Sequence, residues 1–221
     1  MTQQADAPEP AEPKPAARSG EGGGARERIF RAAEWLVAEH GFDGVSTRDI
    51  VARAGANVAA VNYHYGSKTR LLLEIFRARA TELNRERTQL LRQTLEAEPD
   101  NPRAILRALI EPPTLWVDDD RRIALRFLNR ARYEGPLEIR ELIRTDVRHL
   151  RRFADALASA LPELPRDEVI WRLHFALGVL HYNQPTDYAR LALISDGACT
   201  PEDREALMER LLQFICGGFG F

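Results

Sequence analysis

The 221-residue chain, of which 44% is hydrophobic, is long enough to bury a sizeable core in one or two domains. Its formal net charge of −2 excludes a protein that coats nucleic acid through an overall positive field, so any nucleic-acid contact requires a local patch. Cys199 and Cys216 form neither a metal-ligand spacing nor a disulfide framework, which suits the reducing cytosol, and no apolar run approaches the roughly 18–20 residues that span a bilayer. We therefore expect a cytoplasmic protein without a membrane partner, bound metal or cofactor.

The first 24 residues differ in composition from the rest of the chain. Pro, Ala, Glu and Gly dominate, and Met1 is the only large apolar residue, so little can offset the entropy of ordering this segment. We predict a disordered tail over residues 1–24. Lys14 and Arg18 would allow the tail to act as a flexible arm on DNA, but its four acidic residues favour a plain solvated tail.

An amphipathic helix is predicted over residues 26–40, and Gly41 ends it. The stretch from Ser46 to Lys68 then predicts two short helices with a tight turn between them. Thr47 is the expected cap of the first helix, and Gly55 ends it in the left-handed conformation that a sharp turn requires. Asn57 is the expected cap of the second helix, which runs from Val58 to about Tyr65. Two short helices joined by a glycine-containing turn are typical of a helix-turn-helix.

The exposed face of the second short helix carries small, amide and aromatic side chains and no carboxylate. Tyr, His and Asn bond to phosphates and base edges, whereas an acidic side chain would repel phosphate. Lys68 lies in the first turn of the next helix, where the dipole disfavours a cation, so it is either bound to a phosphate or simply solvated. The residues expected to contact DNA are Thr47, Arg48, Asn57, Val58, Ala59, Ala60, Asn62, Tyr63, His64 and Lys68.

The segment from Arg28 to Leu72 resembles the DNA-binding domain of TetR/AcrR-family transcriptional regulators. It shares the leading amphipathic helix, the HGF turn, the Thr at the start of helix 2, the AG turn, a recognition helix that ends in HY, and the SK that opens helix 4. The family usually has Tyr where this chain has Asn62, so the match supports phosphate contacts at Tyr63 and His64 more than a base contact at Asn62. NYHYGSK with the downstream WRLHFALG also resembles the branch of fatty-acid-responsive repressors.

The resemblance implies a ligand-responsive regulator, most often a repressor. Such a protein binds an inverted-repeat DNA operator as a dimer and is released by a small, mostly apolar inducer, for which an acyl compound is the first candidate. In the family, the last two helices of each subunit build the dimer interface. Two apolar helices near the end of this chain, around residues 168–183 and 201–216, support a homodimer of that kind.

A long helix is predicted from Lys68 through residue 98, and the remainder of the chain shows helical spacing without a strand pattern. Pro112 and Pro113 are expected to interrupt one of these helices. We therefore predict an all-α fold with two parts. A three-helix helix-turn-helix domain occupies residues 25–70, here called the head, and a helical ligand-binding and dimerisation domain occupies residues 71–221, here called the body.

The resemblance also implies a ligand pocket between the long helix and the middle helices of the body. Ordinary core packing is the alternative for each candidate. Arg130 and His174 are the most informative, because a polar group on an otherwise apolar helix needs a partner, which an acyl carboxylate or thioester would supply. The candidate lining residues are Trp116, Phe127, Arg130, Tyr133, Trp171, His174, Gly178 and Tyr182.

Motifs of enzymes are absent from the sequence. It contains no Gly-rich phosphate loop and no HExxH, CxxC or GxSxG motif. His174 and His181 share a helix face, but no acidic residue or cysteine accompanies them at ligand spacing, so packing or ligand-lining roles are favoured over a metal site. A helical-bundle enzyme or small-molecule carrier is the alternative function, and it would leave residues 46–68 unexplained.

Overall fold

The computed structural model describes residues 24–181, 185–200 and 203–221, and these contain eleven helices and no strand, which confirms the all-α prediction. Nearly all of the predicted tail, and Tyr182, lie outside the described residues. None of the described helices is long and apolar enough to cross a bilayer. The helices are α1 (Ala25–His40), α2 (Thr47–Ala54), α3 (Val58–Tyr65), α4 (Lys68–Ala97), α5 (Pro102–Leu115), α6 (Asp119–Glu134), α7 (Leu137–Thr145), α8 (Arg148–Ala160), α9 (Arg166–His181), α10 (Pro185–Ile194) and α11 (Arg204–Phe219).

Helices α1 to α3 form the small bundle of the head. Ser46, and not the predicted Thr47, caps α2: its hydroxyl accepts a bond from the Asp49 amide, and the Asp49 carboxylate accepts one from the Ser46 amide at 2.7 Å. Gly55 adopts the predicted left-handed conformation, with φ 59° and ψ 44°. Asn57 caps α3 as predicted and accepts a bond from the Ala60 amide at 2.8 Å.

The 30-residue helix α4 links the head to the body and, at about 1.5 Å per residue, is about 45 Å long. Near its head end, Arg79 forms a bidentate ion pair with Glu34 of α1, with bonds of 2.6 and 2.8 Å. The Glu34 side chain is only 4% exposed, so water screens this pair weakly. The N-terminal part of α4, as far as Arg79, is therefore attached rigidly to the DNA-binding bundle.

Two clusters of buried apolar side chains fill the described part of the protein. The first is the core of the head, but it continues into α6 and α7 through Phe127, Ala131 and Ile139. The second lies in the body, between α5, α8, α9 and α11. Because one core joins the head to α6, a displacement of α6 must be felt by the DNA-binding bundle.

Helix α5 runs through both Pro112 and Pro113, so the predicted interruption is wrong. A proline removes the N–H that would bond to the carbonyl four residues earlier, and for Pro113 that carbonyl belongs to Leu109. The Nε of Arg87 on α4 donates to the Leu109 oxygen at 3.0 Å and replaces the missing bond. Residues distant in sequence thus supply the hydrogen bond that the local sequence lacks.

Candidate DNA-binding surface and effector cavity

Helix α3 presents its predicted face to solvent. Tyr63 is 85% exposed and Val58 44% exposed, Ala59 and Asn62 are also exposed, and His64 is half-buried with its ring centroid 5.0 Å from that of Tyr63. The opposite side of the helix is held by Val61, which is fully buried, and by Tyr65. The structure therefore separates the predicted contact residues of α3 from those that anchor the helix.

Two side-chain bonds to main-chain carbonyls fix the bundle around α3. The Tyr65 hydroxyl donates to the Arg26 carbonyl at 2.7 Å, and burial raises the pKa of Tyr65 to about 12. Arg28 Nε donates to the Ala54 carbonyl at the end of α2 at 3.1 Å. These bonds hold the recognition helix at a defined angle on the bundle, as a helix that must enter a DNA groove requires.

Lys68 has a structural role that the sequence analysis did not predict. Its ammonium group donates to the carbonyls of Phe42, at 3.0 Å, and of Val45, and so closes the turn between α1 and α2. The side chain is half-buried, which leaves one N–H for another partner. Arg48 on α2, by contrast, is exposed and bonds to no other described residue. Thr47, beside it, is half-buried in the first turn of α2.

The body contains two adjoining cavities of about 690 and 470 Å³. Such volumes are typical of small-molecule sites. The larger lies between α4, α6, α7, α8 and α9, and the smaller lies between α4, α5, α6 and the α10–α11 end of the body. Five residues line both cavities and form the boundary between them: Leu83, Arg87, Leu128, Arg132 and His181.

Most of the predicted pocket residues do not line these cavities. Trp116 lines the smaller one, where its indole N–H also donates to Glu86 at 2.7 Å. Four others are exposed on the outer faces of α6 and α9 and so form no cavity wall: Tyr133, Trp171, His174 and Gly178. An added Cβ at Gly178 would meet no atom within 4 Å, so no other described part of the subunit packs closely on this glycine.

The other two candidates, Phe127 and Arg130, join α6 to the head. Phe127 is fully buried and packs on Phe42, with ring centroids 5.3 Å apart. Arg130 donates to the carbonyls of Ala38 and Glu39, in the last turn of α1, at 3.1 and 3.2 Å. Arg130 therefore has partners within the protein, at the end of α1.

Glu134 completes this contact between α6 and the head. Its carboxylate accepts a bond from the Phe42 amide at 3.2 Å and pairs with Arg130 at 3.0 Å. Gly41, at the turn, has a φ of 83°, and a Cβ there would lie 2.5 Å from the Glu134 oxygen. The positive φ favours glycine at this position, and a side chain there would displace the Glu134 carboxylate from the turn.

The boundary between the cavities is cationic, a feature that the sequence analysis missed because its residues come from separate helices. Arg87 is 4% exposed, and burial, followed by repulsion from Arg132, lowers its pKa to about 9, so it stays protonated at neutral pH. Burial and the same two arginines lower the pKa of His149 to about 4 and that of His181 to about 3. Both histidines are therefore neutral.

The outer surface of α9 and α11 is apolar and aromatic. Trp171 is 57% exposed and stacks on Phe175, which is 61% exposed, at a centroid distance of 5.9 Å. Phe214 on α11 is 68% exposed. Exposed large apolar side chains on two helices that contact each other are typical of a protein–protein interface.

Two family profiles match the chain. The profile described as "Bacterial regulatory proteins, tetR family" matches residues 29–75, and "Tetracyclin repressor-like, C-terminal domain" matches residues 107–218, just over half of the chain. The chain belongs to the TetR family. It is therefore a transcriptional regulator and not an enzyme, and regulators of this family bind DNA, form dimers and respond to small molecules.

Individual relatives agree with this assignment. The HTH-type transcriptional dual regulator CecR of Shigella flexneri is 35% identical over 97 residues, and the match covers 39% of each protein, well under half the length of that relative. The fatty acid degradation regulator FadR of Bacillus halodurans has the same fold, with a TM-score of 0.56 at 16% identity over 89% of this chain and 96% of that one. The TetR-family regulator PfmR of Thermus thermophilus has a TM-score of 0.56 at 18% identity, over 85% and 95% of the two chains.

The geometry of the TetR-family chain is that of a binding protein. Within the described residues, no group of three or more His, Cys, Asp or Glu side chains is arranged to hold a metal ion. The features that stand out are the acid-free recognition helix, the cavities against α4 and α6, and the apolar outer face of the last helices.

Proposed function

We propose that this TetR-family regulator is a repressor that binds an inverted-repeat operator as a homodimer and is released by a mostly apolar inducer. The observation that carries the proposal is the pairing of a rigidly held, acid-free recognition helix with a cavity whose walls include α6, the helix that contacts the head. A ligand in this cavity would then act on the DNA-binding bundle through direct contacts.

Contacts to DNA would be divided between two groups of side chains. Tyr63 and His64, at the exposed end of α3, and Arg48 on α2 are proposed to bond to phosphates. Asn62, exposed one turn into the helix, is proposed to bond to a base edge, as an amide does with adenine. Asn57 caps α3, and Val58, Ala59 and Ala60 are small enough to let the helix approach the groove closely.

The dimer is proposed to form through α9 and α11. Their outer faces carry Trp171, Phe175 and Phe214, whose exposure is costly in a monomer and would be removed by pairing with a second copy. His174 and Gly178 lie on the same side of α9, and the glycine would allow a close helix contact between subunits. Three of the residues predicted to line the ligand pocket are thus proposed to lie in the dimer interface instead: Trp171, His174 and Gly178.

Coupling between the two functions is proposed to run through α6. Leu128 and Arg132 line the cavities, while Phe127, Arg130 and Glu134 of the same helix contact the end of α1 and the turn after it. A ligand that packs better when α6 is displaced would shift the head and separate the recognition helices from successive grooves. A ligand biases the equilibrium only by its differential affinity for the two arrangements.

The test begins with selection of operators from random DNA by the purified protein. We expect an inverted repeat whose half-sites are about 34–36 Å apart or slightly more, bound by two chains. Asn62→Ala should relax preference at one base pair, at a cost of about 1–3 kcal/mol, while Tyr63→Phe should weaken binding to all sequences alike. A monomer at micromolar concentration, both free and on DNA, would contradict the dimer. An equal loss on every operator variant would contradict the role of Asn62.

A further inference from the structure

Arg87 and Arg132 are cations at the cavity boundary without a counter-ion in the described part of the chain. No carboxylate of the described residues lies within ion-pair distance of either guanidinium, although this chain forms such pairs at many other arginines. The Nε of Arg132 is buried and has no hydrogen-bond partner among those residues. Buried charges are normally paired, so two neighbouring arginines that repel each other indicate a missing anion.

Contacts within the protein explain only part of the burial of Arg87 and Arg132. Arg87 bonds to the Leu109 carbonyl that Pro113 leaves free, but this uses one of its five donors. The nearest acidic residue on α4, Glu86, is already engaged by Trp116 and by Arg121, each at 2.7 Å. No ion pair with another described residue explains the position of Arg132 on the cavity wall.

We propose that the effector of this regulator carries an anionic head group, such as a carboxylate, that binds between Arg87 and Arg132 at the boundary of the two cavities. This inference rests on the proposed ligand response and specifies the chemical class of the ligand. A guanidinium presents planar, paired donors that match the two oxygens of a carboxylate.

Apolar side chains line part of each cavity beyond the shared boundary: Leu142, Ile143 and Leu177 in the larger, and Leu125, Leu180 and Leu211 in the smaller. The other arginines that line the larger cavity are exposed to solvent, unlike Arg87: Arg77, Arg85, Arg148 and Arg152. Asp146 lies in the larger cavity, but it contacts the exposed Arg148 at 3.7 Å. An anion bound at the boundary would raise the pKa of His149 and of His181, because a nearby negative charge favours the protonated form.

The experiment measures binding of decanoate and of decan-1-ol to the full-length protein by isothermal titration calorimetry. The two molecules share a ten-carbon chain and differ in the charge of the head group. We expect saturable binding of decanoate, at least about tenfold tighter than that of decanol, because charge-assisted hydrogen bonds are stronger than neutral ones. No saturable binding of decanoate, or equal affinity for both, would overturn the proposal.

Variants then locate the head group. Arg132→Met should weaken decanoate binding by about 10–100-fold and decanol binding by less than about threefold. Arg87→Met should have a similar effect, but it also frees the Leu109 carbonyl, so Arg132 is the decisive position. Arg92→Met, on an exposed part of α4, is the matched control and should bind decanoate as the wild type does. Unchanged decanoate affinity in Arg132→Met would overturn the proposed site.

A DNA-release assay on the selected operator distinguishes this inference from the proposed function. Tight, Arg132-dependent binding of decanoate without release of DNA would support the anion site and overturn the inducer role. Release by decanol as effective as that by decanoate would overturn the anion site and leave the inducer role intact.

Discussion

Replacement of Lys68 by Met separates a structural role from a role in DNA binding. In the structure its ammonium group donates to two carbonyls, those of Phe42 and Val45, and both of these residues are nearly completely buried. Methionine keeps the apolar part of the side chain and leaves both carbonyls without their donor. The turn between α1 and α2 would therefore lose the bonds that close it.

The expected loss of stability follows from the number and environment of these bonds. A hydrogen bond to a charged group contributes about 1.5–3 kcal/mol. Since the side chain is half-buried, we take the lower end of that range for each bond, which gives a loss of about 3 kcal/mol. With m-values of about 1–3 kcal/mol per M, the urea midpoint should fall by about 1–3 M.

Urea denaturation at equal protein concentrations is the assay, because the apparent stability of a dimer depends on concentration. Arg48→Met is the matched control: this cation is exposed and bonds to no other described residue, so its removal should leave the midpoint unchanged. It should instead lower the salt dependence of operator binding by about one unit. The structural role would be refuted if Lys68→Met were as stable as the wild type and lost as much salt dependence as Arg48→Met. That result would instead indicate that Lys68 contacts a phosphate.

Three further predictions concern the body. Arg130→Met removes the bonds from α6 to the end of α1. The variant should still bind decanoate, but the coupling free energy between ligand and operator, about 1–3 kcal/mol, should fall towards zero. Full release of the operator by decanoate from this variant would contradict the role of Arg130 in coupling. The pKa of His149 is lowered to about 4, chiefly by burial, while the unfolded histidine titrates near 6.5. The contribution of His149 to stability should therefore be complete above about pH 6.5 and decline as the pH falls towards 4, by at most about 1.4 kcal/mol per pH unit. His149→Gln should flatten the dependence of the urea midpoint on pH. Phe175→Glu places a charge on the outer face of α9 and should yield a monomer in analytical ultracentrifugation; a dimer at micromolar concentration would place the interface elsewhere.

The local patterns of the sequence predicted the head closely. Gly55 and Asn57 have the predicted conformation and cap, and α3 has the predicted bounds, because these features depend on residues only a few positions apart. The wrong prediction of the α2 cap also concerns residues only a few positions apart. Ser46 and Thr47 are adjacent candidates for one cap, and Asp49 three residues after Ser46 was the signal that distinguished them.

The polar partners in the body depend on contacts between helices far apart in the chain. Arg130 bonds to α1 about 91 residues earlier, and Arg87 bonds to the carbonyl that Pro113 leaves free, which is why α5 survives its two prolines. No periodicity within a single helix indicates such partners. The sequence therefore determined the helices of the head, their caps and the acid-free face of the recognition helix, all set by neighbours along the chain. Only the tertiary structure decided that α9 faces outwards, that Lys68 closes a turn, and that two arginines meet at a cavity wall, because burial and pairing depend on which helices pack together.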